Sequence, residues 1–434
     1  MRTTWSAQIL TILTTIFYQF FINLFPFLMR VAGNFSHKIR LGVEGRDGLL
    51  TRLDEVFQKQ ANGRPVAWFH AASLGEFEQG RPVMERFRET YPDYFILLTF
   101  FSPSGYEIRK NYGGADYICY LPIDTPSNAK AFVEIVKPRV VFFIKYEFWY
   151  NYLKALRKSG ALIYSFSTIF RPSQAFFKWY GGFYRGMLSL FDHILVQNQQ
   201  SLDLLKGIGV YQCSLAGDTR FDRVSTIASS VKDLPEIAAF VGDKTCLVLG
   251  SVWESDMEVI IPAVNAFEQP LKMIIAPHEI KPEEITAWRS KFSRTSMLYS
   301  EYVKNADLRA DILFIDNIGM LSSLYRYGHI AYIGGSFGGG LHNVLEASTF
   351  GLPVMFGNKG YHKFQEAKDL IEEGGAVAIA NAEEATACLQ KWYDPSVRSD
   401  AGMVGKSYVS RQTGATKAVM AVVEKELGVK RSGL

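Results

Sequence analysis

The sequence is poor in cysteine and lacks the short motifs that commonly hold metals or triphosphates. Its four cysteines are scattered along 434 residues, with no Cys-x-x-Cys pair and no histidine at metal-ligand spacing. This distribution argues against a disulfide framework and against a zinc site. No Asp-x-Asp occurs, although such a motif often marks a divalent cation beside a nucleotide sugar, and a P-loop is missing as well. We therefore expect chemistry without a metal or a resident cofactor.

A strong excess of positive charge is also missing. The chain has 47 basic and 43 acidic residues, a net charge of +4, which is far from the signature of a nucleic-acid-binding protein. This mild excess suits a protein that works near an anionic lipid surface. Hydrophobic residues make up 48% and charged residues 21%, which predicts a globular protein with a full core. The length suits two domains of about 180 residues each.

Charge is absent altogether from Thr3 to Met29. That run is longer than the roughly 20 residues that a helix needs to cross a bilayer, so we expect a membrane helix. Gln19 and Asn23 weaken this interpretation, and a monotopic anchor or a buried core helix stays open. A cleaved signal peptide is a further alternative, although the run is long and aromatic and no small-residue cleavage site follows it.

The residues that flank this segment predict its orientation. Only Arg2 precedes it, whereas several basic residues follow within a short distance: Arg30, Lys38, Arg40 and Arg46. By the positive-inside rule, the large C-terminal part should lie in the cytoplasm.

Beyond a polar stretch, short apolar runs alternate with amphipathic ones, and this alternation restarts in the second half. Continuous apolar strands between helices predict parallel sheets covered on both faces. The expected strands are 66–73, 94–100, 139–149, 161–167 and 193–198, then 246–252, 271–277, 311–316, 329–335 and 352–357. A linker is expected near 218–235, and helices are expected at 343–350 and 405–425, among others. Two doubly wound domains in tandem should enclose a ligand cleft at the carboxyl ends of their strands.

These patterns divide the chain into four parts. We expect a membrane anchor at 1–32, a first Rossmann-like domain at 33–217 and a second at 218–405. The remainder, 406–434, should be a C-terminal helix and tail that packs on the first domain.

The most informative segment is a strand followed by a glycine-rich loop and an expected helix, at 332–357. Glycines let a backbone approach a phosphate closely, and a helix start adds unpaired N–H groups with a partial positive charge. His342 and Glu346 are four residues apart and would share a helix face, where a carboxylate can bind ribose hydroxyls. The segment therefore predicts a nucleotide site that also includes Ser336 and Asn343. A plain strand–turn–helix joint is the alternative.

A second strand-to-helix joint, at 69–82, contains a candidate base. Glu76 follows Gly75, which leaves room beside it for a substrate hydroxyl. However, Ser73 and Glu76 also fit the capping box Ser-x-x-Glu, so spacing alone does not separate capping from catalysis. Glu78 is a weaker candidate for the same role.

Other sites are weaker when taken singly. His278 lies just past an expected strand and could meet a phosphate or a base, Glu147 ends another, and Arg220 lies near the linker. Ser251 and the acidic residues that follow it look like ordinary N-capping.

Taken together, these residues resemble the 3-deoxy-D-manno-octulosonic acid (Kdo) transferases of lipopolysaccharide synthesis. The family's His-x-x-Ser-x-Gly-Glu motif is matched from His70 to Glu76, and the resemblance implies that Glu76 is the general base. The segment 147–151 is similar to the family's Glu-Leu-Trp-x-Asn, and 217–222 to its Gly-Asn-x-Lys-Phe-Asp, with Arg220 in place of the lysine. By this resemblance, Glu147 and Arg220 steady the transition state.

The resemblance also implies a nucleotide site on the second domain. The corresponding residues are Pro277 and His278, then Gly319, Met320 and Leu321, then His342, Asn343, Val344, Leu345 and Glu346. Three positions depart from the family: an arginine before His278 is missing, Met320 replaces a glutamate and Val344 replaces a proline.

The family has an N-terminal membrane segment and the GT-B fold, in which two Rossmann-like domains face a central cleft. The resemblance implies inverting, metal-independent transfer of Kdo from CMP-Kdo to a lipid A precursor, lipid IVA. It places the enzyme at the inner membrane, with its domains on the cytoplasmic face and no nucleic acid as partner. Two alternatives stay open: a GT-B-fold sugar-nucleotide epimerase, and a non-catalytic, membrane-tethered binding protein.

Overall fold

The computed structural model describes residues 2–305 and 309–432, with the side chains of 2–8 and 429–432 left out. The chain forms two compact units. The first unit comprises Met1–Arg223 with Gly414–Leu434, and the second comprises Val224–Thr413. The outer ends of the expected parts 1–32 and 406–434 lie outside the described residues.

The first unit is built on a sheet of seven parallel strands in the order β3-β2-β1-β4-β5-β6-β7. The strands are β1 (Val66–Ala71), β2 (Phe95–Phe100), β3 (Tyr117–Tyr120), β4 (Pro138–Ile144), β5 (Leu162–Thr168), β6 (His193–Val196) and β7 (Cys213–Leu215). Its helices are α1 (Arg2–Gly33), α2 (His37–Glu44), α3 (Leu49–Val56), α4 (Leu74–Thr90), α5 (Pro103–Arg109), α6 (Pro126–Val136), α7 (Tyr150–Ser159), α8 (Gly182–Leu188) and α9 (Gln199–Gly207). The division between the units falls within α10 (Thr219–Ser229).

The second unit repeats this architecture, with seven parallel strands in the order β10-β11-β9-β8-β12-β13-β14. They are β8 (Cys246–Val252), β9 (Lys272–Pro277), β10 (Ser296–Leu298), β11 (Ile312–Phe314), β12 (Ile330–Ile333), β13 (Val354–Gly357) and β14 (Ala376–Ile379). The helices are α11 (Pro235–Val241), α12 (Glu254–Asn265), α13 (Pro282–Lys291), α14 (Tyr299–Tyr302), α15 (Leu321–Leu324), α16 (Leu345–Ser348), α17 (Gln365–Glu373), α18 (Ala382–Tyr393) and α19 (Pro395–Arg411). A last helix, α20 (Ala415–Ser432), belongs to the first unit.

Both faces of the first sheet are covered, which explains its continuous apolar strands. Along β1, Trp68 packs into the core on one face, whereas Phe69 packs into the core on the other. Residues of α20 complete the second of these cores: Val419, Met420, Val423 and Leu427. Gly80 lets α4 approach β4 closely, since a Cβ there would lie 2.1 Å from Ile144.

The ten expected strands are confirmed, with shifted ends, and four short strands were missed. The expected helix 405–425 was wrong, because it is broken between α19 and α20, where Gly414 has a φ of +113°. The expected linker near 218–235 is confirmed, since the units divide after Arg223, within α10. The units divide at Arg223 and Gly414, whereas the sequence analysis placed these limits at 217 and 405.

Each sheet has one topological switch point, where the chain reverses its direction of travel across the strands. In the first unit it lies between β1 and β4, and in the second between β8 and β12. Ligands of doubly wound sheets bind beside the carboxyl ends of the strands at this point.

A buried carboxylate fastens α1 to the first unit. Asp124 is 1% exposed. It accepts hydrogen bonds from the Tyr18 hydroxyl at 2.5 Å, from the Asn151 N–H at 3.0 Å and from the Tyr152 N–H at 2.8 Å. Gln19 of α1 also bonds Asn151, with its Nε2 2.6 Å from Oδ1. Burial raises the pKa of Asp124 to about 6.

We predict that Asp124→Ala lowers the free energy of unfolding of the first unit by about 2–4 kcal/mol, because three donors lose their buried acceptor. Denaturant unfolding of the detergent-solubilised chain measures this loss. Asp93→Ala, at an exposed position, is the matched control and should change stability by less than about 0.5 kcal/mol. Equal effects of the two changes would contradict the account.

Candidate active site

Two carboxylates flank the switch point of the first unit. Glu76 lies in the first turn of α4, directly after β1, and Glu147 follows the end of β4. Because β1 and β4 are adjacent parallel strands, their carboxyl ends bring these side chains to the same edge of the sheet. The structure therefore places both predicted residues where a doubly wound sheet binds its ligand.

The Glu76 side chain is held by backbone donors. Its Oε2 accepts a hydrogen bond from the Ala72 N–H at 2.5 Å, and the Ser73 N–H contributes a second. Burial, followed by the charge of Glu147, raises the pKa of Glu76 to about 7. A carboxylate with such a pKa is half protonated near neutral pH, which suits a general base.

The capping alternative is realised only in part. Glu76 does bond the backbone of Ser73, as a capping box requires, but the Ser73 side chain makes no cap hydrogen bond to α4. Apart from its two chain neighbours and the nearby backbone of α4, no heavy atom of the described residues lies within 4 Å of a Cβ built on Gly75, so space is open next to the carboxylate. Glu78, the weaker candidate, instead forms ion pairs with Arg109 at 2.7 Å and Arg223 at 3.3 Å.

Buried N–H groups orient Glu147. The Trp149 indole donates to its Oε2 at 2.8 Å, and Nε2 of His70 lies 3.3 Å from the same oxygen. His70 is fully buried, with its Nδ1 2.8 Å from the Thr99 hydroxyl. When this hydroxyl donates to Nδ1, the imidazole carries its proton on Nε2 and donates to Glu147.

The backbone next to Glu147 is strained. Lys145 follows β4 with a φ of +70°, and Ser167 near the end of β5 has a φ of +51°. Non-glycine residues rarely adopt this region, and such strain gathers at functional sites. The positive charge of Lys145 also acts on Glu76, where it partly offsets the rise in pKa.

Arg220 lies at the start of α10, where a carboxylate holds it. Its guanidinium pairs with Asp218 at 2.8 Å. Asp218 also accepts a hydrogen bond from Gln79 of α4 at 3.3 Å, and the neighbouring Thr219 hydroxyl donates to the Gln79 carbonyl. The helix that carries Glu76 therefore also fixes the segment that carries Arg220.

In the second unit, a buried aspartate organises the glycine-rich loop. Asp256 accepts hydrogen bonds from the Gly335 N–H at 2.9 Å, the Trp253 N–H at 2.9 Å and the Tyr332 hydroxyl at 2.7 Å. It is fully buried, and burial raises its pKa. Gly334 is required here, because a Cβ would lie 2.3 Å from the Ser251 carbonyl oxygen.

Three rings stack where β8, β9 and β12 end. His278 stacks on both Trp253 and His342, with ring centroids 4.3 and 4.4 Å apart. The Trp253 indole donates to Nε2 of His342 at 3.1 Å, so the neutral His342 carries its proton on Nδ1. Burial, followed by the nearby His278, lowers the pKa of His342 to about 4. His342 is therefore an uncharged donor at neutral pH.

Glu346 connects the two predicted nucleotide-binding segments, the one that begins at Gly319 and the one that begins at His342. Its oxygens accept hydrogen bonds from the Ser322 hydroxyl at 3.0 Å and the Asn343 amide at 3.2 Å. Ser322 belongs to α15, which begins at Leu321 directly after Gly319 and Met320. The two segments expected to hold one nucleotide are thus joined.

The helix expected at 343–350 was predicted too long. α16 spans only Leu345–Ser348, a single turn, and His342 precedes it in loop conformation. His342 and Glu346 therefore do not share a helix face. Among the described residues, the structure records no acceptor for the N–H of Phe337 or Gly339, so the loop itself offers donors.

The remaining predicted residues surround this cluster. Pro277 ends β9, and Ser336 is buried, with its hydroxyl bonded to the Lys359 carbonyl. Val344 is buried with a φ of −73°, a value that the family's proline would also adopt. Leu345 opens α16 and is fully buried.

Sequence reasoning missed Trp253, Asp256 and Ser322. Trp253 and Asp256 lie in a segment that reads as ordinary N-capping, and Ser322 follows the Gly-Met-Leu segment without a motif of its own. The signal that was available is the position of Trp253 directly after β8, a strand at the switch point. Among the described residues, no group of three His, Cys, Asp or Glu side chains has the arrangement of a metal site.

Comparison with known structures identifies the fold class. UDP-GlcNAc 2-epimerase from Neisseria meningitidis superposes with a TM-score of 0.59 at 13% identity, covering 83% of this chain and all of that one. MurG from Acinetobacter baumannii superposes with a TM-score of 0.55 at 13% identity, over 83% and 99%. The chain is an α/β protein of the GT-B kind, with two doubly wound units preceded by an apolar helix.

Sequence comparison identifies a narrower group of similar proteins within this fold class. Residues 48–223 match the family model for 3-deoxy-D-manno-octulosonic-acid transferase (kdotransferase). The 3-deoxy-D-manno-octulosonic acid transferase of Aquifex aeolicus is 28% identical over 332 residues, 75% of this chain and 85% of the relative. That of Bordetella pertussis is 26% identical over 386 residues, 83% and 87%. The resemblance to the Kdo transferases that the motifs indicated is confirmed.

We predict that Asp256→Ala accelerates hydrogen exchange in the glycine-rich loop, because its three buried donors lose their acceptor. The hydrogen-bonded amides of Gly335, Gly338 and Gly340 should exchange at least about tenfold faster, corresponding to a local loss above about 1.4 kcal/mol. Hydrogen exchange followed by mass spectrometry measures this. Glu258→Ala, two residues further along α12, is the control. A loop with unchanged protection in Asp256→Ala would refute the anchoring role.

Proposed function

We propose that the protein transfers Kdo from CMP-Kdo to a lipid A precursor, lipid IVA, in lipopolysaccharide synthesis. The observation that carries this proposal is Glu76. It lies within the segment that matches the Kdo transferase model, it flanks the switch point, and its pKa is raised to about 7. The curated relatives that match most of the chain carry the name of this activity.

In the proposed reaction, Glu76 takes the proton from the attacking hydroxyl of the acceptor. The oxygen then attacks the anomeric carbon of Kdo, CMP leaves from the opposite side, and the configuration inverts. Glu147 supports this step electrostatically, because its negative charge makes Glu76 a stronger base. His70 and Trp149 hold Glu147 in place for this purpose.

The second unit is proposed to bind CMP-Kdo. The loop N–H groups and the Nδ1–H of His342 are donors for the phosphate, and Glu346 can accept hydrogen bonds from ribose hydroxyls. Pro277, Gly319, Met320 and Leu321 complete this proposed site beside the stacked His278. Arg220 is proposed to balance the charge that develops on the leaving group.

These groups supply donors and one positive charge, so we propose that neither a metal nor a cofactor takes part. The membrane is the proposed site of action. Ile9–Gly33 is long and apolar enough to cross a bilayer, and the basic residues that follow favour the cytoplasmic face of the inner membrane. A membrane-bound acceptor would meet the first unit there.

The epimerase alternative has one observation in its favour, the fold similarity to UDP-GlcNAc 2-epimerase. A shared fold does not fix the reaction. An apolar helix has no role in an epimerase that handles soluble sugar nucleotides, and we therefore favour transfer to a lipid.

We predict that purified protein in detergent releases CMP from CMP-Kdo only when lipid IVA is added, and equally in the presence of EDTA. Chromatographic detection of CMP measures this. Release without an acceptor, or conversion of a UDP-sugar instead, would contradict the transferase. Loss of release in EDTA that Mg²⁺ restores would contradict metal independence alone.

We predict that Glu76→Gln lowers kcat by at least about 100-fold while CMP binding changes less than about twofold, because an amide cannot accept the proton. Glu78→Gln, two residues away on the same helix, should retain more than about half of the activity. Acceptor-dependent CMP release and calorimetric CMP titration measure the two properties. Near-normal turnover of Glu76→Gln would exclude it as the base.

A further inference from the structure

The described part of α1 has an exposed apolar face. Large side chains recur at intervals of three, four or seven residues, and they are between 44% and 64% exposed: Ile9, Ile12, Ile16, Phe20, Phe27 and Val31. This spacing places them along one side of the helix, here called the outer stripe.

The opposite face contacts the first unit along most of its length. Thr11 lies against Gly182, where a Cβ would be 2.3 Å from the threonine hydroxyl. Towards the other end, Phe25 stacks on Phe101 of the first unit. Between them, Tyr18 bonds the buried Asp124.

These contacts are incompatible with an upright, spanning helix. Thr11 and Phe25 are separated by about 21 Å along the helix axis, which is most of the thickness of a hydrocarbon core of about 30 Å. A perpendicular α1 would therefore carry the contacted surface of the first unit into the hydrocarbon, including the carboxylate of Asp124. Irregular, polar backbone is not tolerated at that depth when it faces lipid.

We propose that α1 does not span the membrane but lies in the plane of one leaflet. The outer stripe enters the acyl region, and the inner face stays on the first unit. The occupant of the stripe is the lipid bilayer itself. This inference deepens the membrane location of the proposed function and is independent of the sugar chemistry.

Aromatic residues beside α1 support this arrangement. Trp179 is 78% exposed and Tyr180 is 43% exposed. They lie two and three residues before Gly182, which contacts Thr11, so they extend the same surface. Tryptophan and tyrosine favour the level of the lipid headgroups, where the ring is buried and its polar atom is hydrated.

The charge of the region fits an anionic leaflet. The first acidic residue of the chain is Glu44, whereas Arg30, Lys38 and Arg40 are basic and exposed. Basic side chains near an anionic surface strengthen binding to it. An apolar stripe with adjacent positive charge is the combination that holds monotopic helices at an interface.

Two polar residues within α1 form hydrogen bonds. Gln19 bonds Asn151 of the first unit, and the Asn23 amide donates to the Gln19 carbonyl of its own helix. Phe25 stacks on Phe101, with ring centroids 6.5 Å apart. Gln19, one of the two side chains that weaken a spanning helix, is thus accommodated in a helix that lies against the protein.

Depth measurements along the stripe test this proposal. Ile12→Cys, Ile16→Cys, Phe20→Cys and Phe27→Cys are each spin-labelled in the full chain and bound to vesicles of phosphatidylethanolamine and phosphatidylglycerol. The four native cysteines are buried, and the parent protein controls for their labelling. Collisions with oxygen and with a water-soluble nickel chelate report the depth of each label.

An in-plane helix predicts the same depth for all four labels. A spanning helix predicts shallow labels at the ends and deep ones at 16 and 20, which would overturn the proposal. Labels that stay in water would overturn it as well. So would labels that neither reagent reaches before vesicles are added, because a second copy of the chain would then cover the stripe.

A binding assay without labels uses two variants. Phe20→Ser combined with Phe27→Ser should lower the vesicle partition coefficient at least about tenfold, since two exposed aromatic rings leave the lipid. Met403→Ser, at an exposed position of the second unit, should not change it. Equal partition coefficients for the two variants would refute the proposal that the outer stripe enters the lipid. Neither assay contains donor or acceptor, so failure here leaves the transferase untouched.

Discussion

Glu76 and Glu147 lie at the ends of adjacent strands, where the negative charge of Glu147 helps to raise the pKa of Glu76. Much of the surrounding structure holds this pair in place. Backbone N–H groups fix Glu76, and ring nitrogens of Trp149 and His70 lie within hydrogen-bond distance of Glu147. The strained backbone of Lys145 lies where the chain leaves β4 towards Glu147. Partial burial of two carboxylates costs free energy unless hydrogen-bond donors compensate for the lost hydration. Here donors compensate for it, and the base stays within reach of a substrate.

The short segment from Glu147 to Asn151 connects this pair to the anchor helix. At one end Glu147 faces the base, and at the other Asn151 bonds Gln19 of α1. Trp149, between them, stacks on Phe101, which itself stacks on Phe25 of α1. An apolar helix and a proposed catalytic pair therefore share one packed neighbourhood. In the proposed reaction with a lipid acceptor, this arrangement would place the proposed base within a few residues of the surface that we propose meets the bilayer.

The sequence predicted the central strands of both sheets well and the edge strands poorly. The ten expected strands exist, and the four missed ones, β3, β7, β10 and β14, are the four edge strands of the two sheets. Edge strands are short and partly exposed, so they lack the continuous apolar run that reveals a central strand. In the site, motifs located Glu76, Glu147 and the glycine-rich loop. They did not reveal Trp253 and Asp256, whose roles depend on residues about 80 positions away that only the fold brings together. The segment at 343–350 predicted a helix, but only one turn forms.

The most direct test of the account is the pH dependence of single-turnover CMP release, in the wild type and in Glu147→Gln. The deprotonated carboxylate is the active form, so the rate should rise with pH with a midpoint near the pKa of Glu76, about 7. Removing the charge of Glu147 removes a cause of that raised pKa, so the midpoint should move to lower pH. A wild-type midpoint near the ordinary glutamate value, or one that Glu147→Gln leaves unmoved, would contradict the claim that this pair creates the base.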